Sequence, residues 1–204
     1  QDVSGDYYDF IPIASRRLAI VIADVSGKGV SAGLLMASLQ GRLQTYSPVY
    51  GMAVGQLVGH LNRLMHASTQ SSRFITLFYA VYDGTDRSLT YVNAGHNPPL
   101  LARSGAFERL EVGGPVVGPL PEAVYPQDTI QLFPSDALIL FTDGITEATN
   151  ASGEEFGEGR LRSAILGGIS LPARDLRDRI LNEVEAFAGK FPNDDCTVIV
   201  AKVL

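Results

Sequence analysis

The sequence predicts an α+β fold, a sandwich of two antiparallel β-sheets flanked by helices. Apolar runs of strand length, rich in β-branched and aromatic residues, recur along the chain. Hairpin-like strand pairs outnumber strand–helix–strand alternations, which favours antiparallel sheets. The two long helical stripes lie together between the second and third strands.

Taken in order, 6–11 reads as a strand pairing with 18–25 across the polar turn Ser15-Arg16-Arg17, with Pro12 ending it. In 31–46 Leu35, Leu39, Leu43 and Tyr46 recur at helical spacing, and in 53–68 Val54, Leu57, Val58, Leu61, Leu64 and Met65 make a cleaner stripe. Strands follow at 74–83 and 89–94, with shorter ones at 98–102 and 107–112. The Gly/Pro-rich stretch 113–121 reads as a loop. Strands at 129–133 and 137–142 precede a short helix around 159–167. A third long stripe, Leu176, Ile180, Val184 and Phe187, has Pro172 placed at its first turn, and 196–203 is the last strand.

The chain has 204 residues, 46% of them hydrophobic, enough to bury a sizeable core and to exclude a disordered chain. No repeat, low-complexity tract or linker divides it, so 1–204 is expected to be a single domain. No apolar run approaches the roughly 18 residues of a membrane span. Sixteen Lys+Arg face 22 Asp+Glu, a net charge of −6 that argues against nucleic-acid binding. Cys196 stands alone, so no disulfide framework exists within the chain and a cytoplasmic setting is expected. The chain opens on Gln and not Met, so a longer protein is expected.

Four sites set Asp at a strand end or turn: Asp6 and Asp9 in Ser-Gly-Asp-Tyr-Tyr-Asp, Asp24 in Ala-Asp-Val-Ser-Gly-Lys-Gly, Asp143 in Phe-Thr-Asp-Gly, and Asp194 and Asp195 before Cys196. Singly, each is explained by capping a turn. Together they are not. Carboxylates brought close repel unless cations neutralise them, and hard oxygen ligands select Mg²⁺ or Mn²⁺. Other phosphate chemistries fail on the text. Cys196 has no Cys-x₅-Arg loop, no Asp-x-Asp pair exists, and Ile22 stands where a Walker A loop needs glycine before Gly27-Lys28. His60 and His66, read as solvated, leave zinc too few ligands.

The ordered segments Ser-Gly-Asp-Tyr-Tyr-Asp (4–9), Ala-Asp-Val-Ser-Gly-Lys-Gly-Val-Ser-Ala (23–32), Thr-Leu-Phe-Tyr (76–79), Asn-Ala-Gly-His-Asn-Pro-Pro (93–99), Thr-Asp-Gly-Ile-Thr-Glu-Ala (142–148) and Asp-Asp-Cys-Thr (194–197) resemble the SpoIIE-like phosphatases. These are the bacterial branch of the metal-dependent PPM Ser/Thr phosphatase superfamily. The resemblance covers nearly the whole chain. It implies the PPM sandwich fold, two Mn²⁺ or Mg²⁺ ions, and hydrolysis of phosphoserine or phosphothreonine by a metal-activated water. Asp24 is implied as the carboxylate shared by both metals, with the Val25 carbonyl a further ligand. Asp143 and Asp194 are implied for the second metal, and Asp6 as a direct or water-mediated ligand. Asp9 and Asp195 are weaker candidates; Asp194 and Asp195 are strand neighbours that point to opposite faces, so both are not expected on one ion. Eukaryotic members carry a His two residues after the shared Asp, where this chain has Ser26. His96 is a candidate substitute, weighed against simple bonding within its own loop. Lys28 is a candidate phosphate contact, weighed against a solvated turn. The implied partners are a phosphorylated STAS-type anti-sigma-factor antagonist and a sensor domain in the same chain. A homodimer is compatible with this. The competing reading is a catalytically silent PPM-fold binding module.

Overall fold

Ser15 and Arg16 turn the chain tightly, with Arg16 at φ 66°, and the flanking residues zip into a hairpin. The computed structural model describes residues 5–27, 29–68, 73–189 and 195–204. Strand β1 (Asp6–Ala14) pairs antiparallel with β2 (Arg17–Val25), and β2 with β3 (Ile75–Asp83). Pro12 does not end the first strand. It lies inside β1, opposite Leu18, and the register slips between Pro12 and Ala14. As β1 is an edge strand, a residue without an N–H is tolerated there.

Two helices follow β2: α1 (Val30–Tyr50) and α2 (Val54–Ser68). The first runs a turn beyond its predicted end at 46, through Pro48, and stops at Gly51, whose N–H returns to the Ser47 carbonyl at 3.0 Å. Strand β4 (Ser88–Ala94) extends the sheet beside β3. Contacts divide the chain into two compact units, Gln1–Pro98 with Leu110–Leu132, and Pro99–Arg109 with Phe133–Leu204. In the first unit alternate residues of three strands, Ala19, Val21, Ala23 and Val25, then Ile75, Leu77, Tyr79 and Val81, then Val92 and Ala94, pack with Leu39 and Leu43 of α1 and Leu57, Leu61 and Met65 of α2. The period of two in the strands and of three to four in the helices meet on one apolar layer. Asn62 serves this layer from inside. Its Nδ2 donates to the Leu120 carbonyl at 2.7 Å and its Oδ1 accepts from Gly118 N–H at 2.8 Å, which pins the Gly/Pro-rich stretch.

The second unit has its own sheet and core. Strands β5 (Leu100–Arg103) and β6 (Ala106–Arg109) form a hairpin. The chain returns through the first unit as β7 (Gly113–Gly114) and β8 (Asp128–Gln131), both on β4. The β4–β7 pair is parallel, a short exception to the predicted antiparallel pattern. Strand β9 (Ala137–Phe141) then pairs with β5, followed by α3 (Asp143–Thr146), α4 (Gly157–Gly167), α5 (Ala173–Ala188) and β10 (Val198–Lys202), which pairs with β9. Leu161, Ile165, Leu176, Ile180 and Val184 of α4 and α5 cover Ile139 and Phe141. Asp136, buried, takes a bidentate pair from Arg103 at 3.0 and 2.7 Å. The α+β class and the two sheets flanked by helices are as predicted. Among the described residues no helix is long and apolar enough to cross a membrane.

At the far end of the β2–β3 ladder Asp83 accepts from Thr85 N–H at 2.8 Å and from Arg17 Nε at 2.7 Å. These donors, Thr85 first, hold its carboxyl down at about 2 against an ordinary 3.8. A depressed acid stabilises the fold above its ordinary pKa and loses that contribution as pH falls through the depressed one. Asp83→Asn is therefore expected to melt lower at neutral pH and to show a shallower loss of melting temperature between about pH 4 and about pH 2. Thermal denaturation across that range checks it.

Candidate metal centre

The β1–β2 register sets Asp6 directly opposite Asp24. Side chains opposed in this way share a face, with Cα atoms about 4.5–5.5 Å apart. Their neighbours Tyr7 and Ala23 turn into the apolar layer under α1 and α2, so Asp6 and Asp24 project from the other face of the sheet. Like charges directly opposed weaken a strand pair. A divalent cation shared between two carboxylates reverses that sign. The donor set is all hard oxygen, which suits Mg²⁺ or Mn²⁺.

Gly5 sits against the oxygens at the end of β2. Its carbonyl accepts from Val25 N–H at 3.2 Å, which brings the chain before β1 against the end of β2. A Cβ on Gly5 would lie 2.9 Å from Asp24 Oδ1 and 3.1 Å from the Val25 carbonyl oxygen. Only a residue without a side chain fits this close to these two oxygens. The residues present therefore fit a cation held by Asp24, the Val25 carbonyl and Asp6.

The strand beyond is braced by polar contacts. Ser26 N–H donates to the Phe74 carbonyl at 3.0 Å, and Ser26 Oγ accepts from Phe74 N–H at 2.9 Å. Ser26 thus holds a loop. His96 is buried, and its ring Nδ1 lies 2.9 Å from Thr76 Oγ1, across from Asp24 in the β2–β3 register. Its main chain is bonded both ways by Asn93, whose Oδ1 accepts from His96 N–H at 2.8 Å and whose Nδ2 donates to its carbonyl at 3.0 Å. The loop bonding weighed in the sequence is present, and the ring adds a tie to β3.

In the second unit Asp143 is the first residue of α3, separated from β9 by Thr142 alone. Its surroundings are clamped to the strand that follows residue 194. Thr142 N–H donates to the Thr197 carbonyl at 3.1 Å, Thr197 N–H returns to Thr142 Oγ1 at 3.0 Å, and Cys196 Sγ donates to the Gly144 carbonyl at 3.2 Å. A Cβ on Gly144 would lie 2.2 Å from the Asp195 carbonyl oxygen, so glycine is required for this approach. The spacing of Asp143 and Asp195 in sequence hides this proximity. Asp194 and Lys28 lie outside the described residues. Asp9 faces the other way from Asp6: its Oδ2 accepts from Tyr7 Oη at 2.8 Å and from Gln44 Nε2 at 3.1 Å. Burial and this carboxylate hold the Tyr7 phenol well above its usual range. Asp9 thus ties β1 to α1.

The histidines read as solvated are not both so. His60 packs edge-on to Tyr46, ring centres 4.8 Å apart, and His66 Nδ1 meets the Gly118 carbonyl at 2.7 Å. Two residues of interest escaped the sequence reading. Gly5 was visible only as part of a motif, and Arg73, which packs against Gly27, carried no signal at all.

Comparison with known proteins identifies related chains. The family model of Stage II sporulation protein E (SpoIIE) matches residues 14–204. Phosphoserine phosphatase RsbU of Bacillus subtilis is 35% identical over 155 residues, which cover 75% of this chain and 46% of that protein. The SiaA-PP2C domain of Pseudomonas aeruginosa superposes with a TM-score of 0.88 at 17% identity, over 99% of this chain and 82% of that one. RsbX, crystallised in complex with magnesium, shares the fold with a TM-score of 0.70 at 20% identity, over 99% of this chain and 88% of that one. The chain spans about a third to a half of the length of the curated relatives it matches.

Gly5→Ala places a methyl group against the Asp24 Oδ1 and Val25 carbonyl oxygens. It is expected to fold and to weaken Mn²⁺ binding by about 10- to 100-fold, read by calorimetry. Unchanged affinity would mean that Asp24 and the Val25 carbonyl do not form the cradle.

Proposed function

Because this chain belongs to the SpoIIE family, we propose that it is a metal-dependent protein phosphatase that hydrolyses phosphoserine or phosphothreonine. The observation that carries this is the opposed pair Asp6 and Asp24, with Gly5 packed against the Asp24 and Val25 oxygens where no side chain would fit. Asp6, Asp24 and the Val25 carbonyl would hold Mn²⁺ or Mg²⁺, and Asp143 and Asp194 would be the ligands of a second ion. Asp195 is a reserve candidate. When bound, such ions supply Lewis acidity toward phosphoryl oxygens and lower the pKa of water.

The chain's own residues do the rest. Asp24 and Asp6 fix the position of the charge that the phosphoryl group meets. Ser26 holds the loop after Asp24 through Phe74, and His96 positions Thr76 behind it. A water oxygen forms a new bond to phosphorus as the bond to the serine or threonine oxygen breaks; the water gives up a proton, the departing oxygen takes one up, and the products are the free hydroxyl and inorganic phosphate. No nucleophilic side chain is needed, in keeping with the missing Cys-x₅-Arg and Asp-x-Asp patterns. We take 1–204 as one catalytic domain, the C-terminal part of a longer protein with a sensor domain, acting in the cytoplasm. The name of RsbU, a phosphoserine phosphatase, supports the substrate class. The family resemblance supports a STAS-type anti-sigma-factor antagonist as the phosphoprotein.

Phosphate release from p-nitrophenyl phosphate and a phosphoserine protein is expected with Mn²⁺ or Mg²⁺ and not with chelator. Asp24→Asn and Asp143→Asn, folded by circular dichroism, are expected to lose about 100-fold or more in turnover. Wild-type protein that neither turns over these substrates nor binds either cation would instead be a silent binding module.

A further inference from the structure

Arg73 stands apart from the other described arginines that carry a carboxylate partner. Arg17, Arg103, Arg109, Arg160, Arg162, Arg177 and Arg179 each pair with an Asp or Glu. Nη1 of Arg73 is shut off from solvent and has no hydrogen-bond partner among the described residues. A guanidinium cannot shed its charge. A buried donor without an acceptor is costly, and it persists where an anion completes it.

Its position says which anion. The β2–β3 ladder pairs Asp24 with Thr76 and Val25 with Ile75, and the two hydrogen bonds between Ser26 and Phe74 carry it one residue further. Gly27 and Arg73 are next in that register. A Cβ on Gly27 would lie 3.7 Å from Arg73 Nη1, and Gly27 sits at φ 93°, where side-chain-bearing residues are strained. The chain directly after Arg73 is fixed by two neighbours. Phe74 is bonded to Ser26, and Ile75 exchanges two hydrogen bonds with Val117 at 3.0 and 2.8 Å. The residue as a whole keeps partial exposure.

We infer that Arg73 is the residue that binds the phosphoryl group of the substrate beside the Asp24 loop. The inference rests on the phosphatase reading for the identity of that substrate. Its chemistry is simple. A phosphoryl dianion approaching Asp6 and Asp24 in a chain of net charge −6 needs a cation of the protein's own at the same edge. The planar guanidinium offers two parallel N–H groups to two phosphoryl oxygens, which an ammonium cannot do. Arg73 would act on binding, with its effect falling on affinity for phosphate and not on affinity for metal.

Inorganic phosphate is the probe, titrated by calorimetry into Mg²⁺-loaded wild type, Arg73→Gln and Arg73→Lys, with Mg²⁺ affinity and melting temperature measured in parallel. Arg73→Gln is expected to weaken phosphate binding by about 10- to 100-fold, and Arg73→Lys by less, with Mg²⁺ affinity unchanged in both. In turnover the same variants raise KM more than they lower kcat. Phosphate affinity equal to wild type in Arg73→Gln, or Mg²⁺ affinity falling in step with it, overturns the assignment, as does a wild type that binds no phosphate. If Arg73→Gln does not fold, Arg73→Lys supplies the same comparison. Phosphate binding lost in the variant while wild type hydrolyses no phosphoester would keep Arg73 as a phosphate site and overturn the phosphatase reading. Turnover by wild type with phosphate affinity untouched in the variant would do the reverse.

Discussion

Hairpin register in the first sheet imposes a like-charged pair. Asp6 and Asp24 are not free to choose separate sites, because Tyr7, Ile11, Ala19, Val21, Ala23 and Val25 all need the apolar layer beneath α1 and α2. A slip of one residue would bury both carboxylates and expose the core residues. The packing energy of a whole layer therefore holds two acids together that would otherwise separate. Their proximity is a cost to the apo fold and an asset once a cation is shared between them.

Around that pair the polar contacts work as braces. Ser26 is tied to Phe74, Thr76 to His96, and His96 to Asn93, so the end of β2 is held from β3 and from the loop after β4. The second unit repeats the strategy on different residues, with Thr142, Gly144 and Cys196 locking the start of α3 to the chain before β10. In both, a glycine permits an approach that any side chain would block. Such backbone-held sites keep ligand oxygens in place without relying on long flexible side chains.

The strands and helices were largely legible because period and burial coincide. The stripe Val54, Leu57, Val58, Leu61 and Met65 is the buried face of α2, and 18–25 differs from β2 by one residue. Pro12 misled because a proline rule written for central strands does not bind an edge strand. The end of α1 misled because Pro48 was free to sit one turn before Gly51. The two-residue β7 and four-residue α3 are too short to show any period. At the site, Asp6, Asp24 and Asp143 were readable as motif acids. Asp9 was not separable from Asp6 by type, and only its contacts with Tyr7 and Gln44 set it apart. Arg73 was invisible, since its meaning lies in a register with Gly27 that no local pattern encodes.

The central claim is that Asp6 and Asp24 act as one cation-binding pair. A double-mutant cycle on thermal stability tests it directly, with wild type, Asp6→Asn, Asp24→Asn and the double variant melted in chelator and in Mn²⁺. The account predicts that Mn²⁺ stabilises wild type strongly, that either single substitution removes most of that gain, and that the second adds little. In chelator, the single variants should be no less stable than wild type, because one repulsion has been relieved. Equal Mn²⁺ stabilisation of all four proteins, or losses that simply add, would show that the two carboxylates do not share an ion.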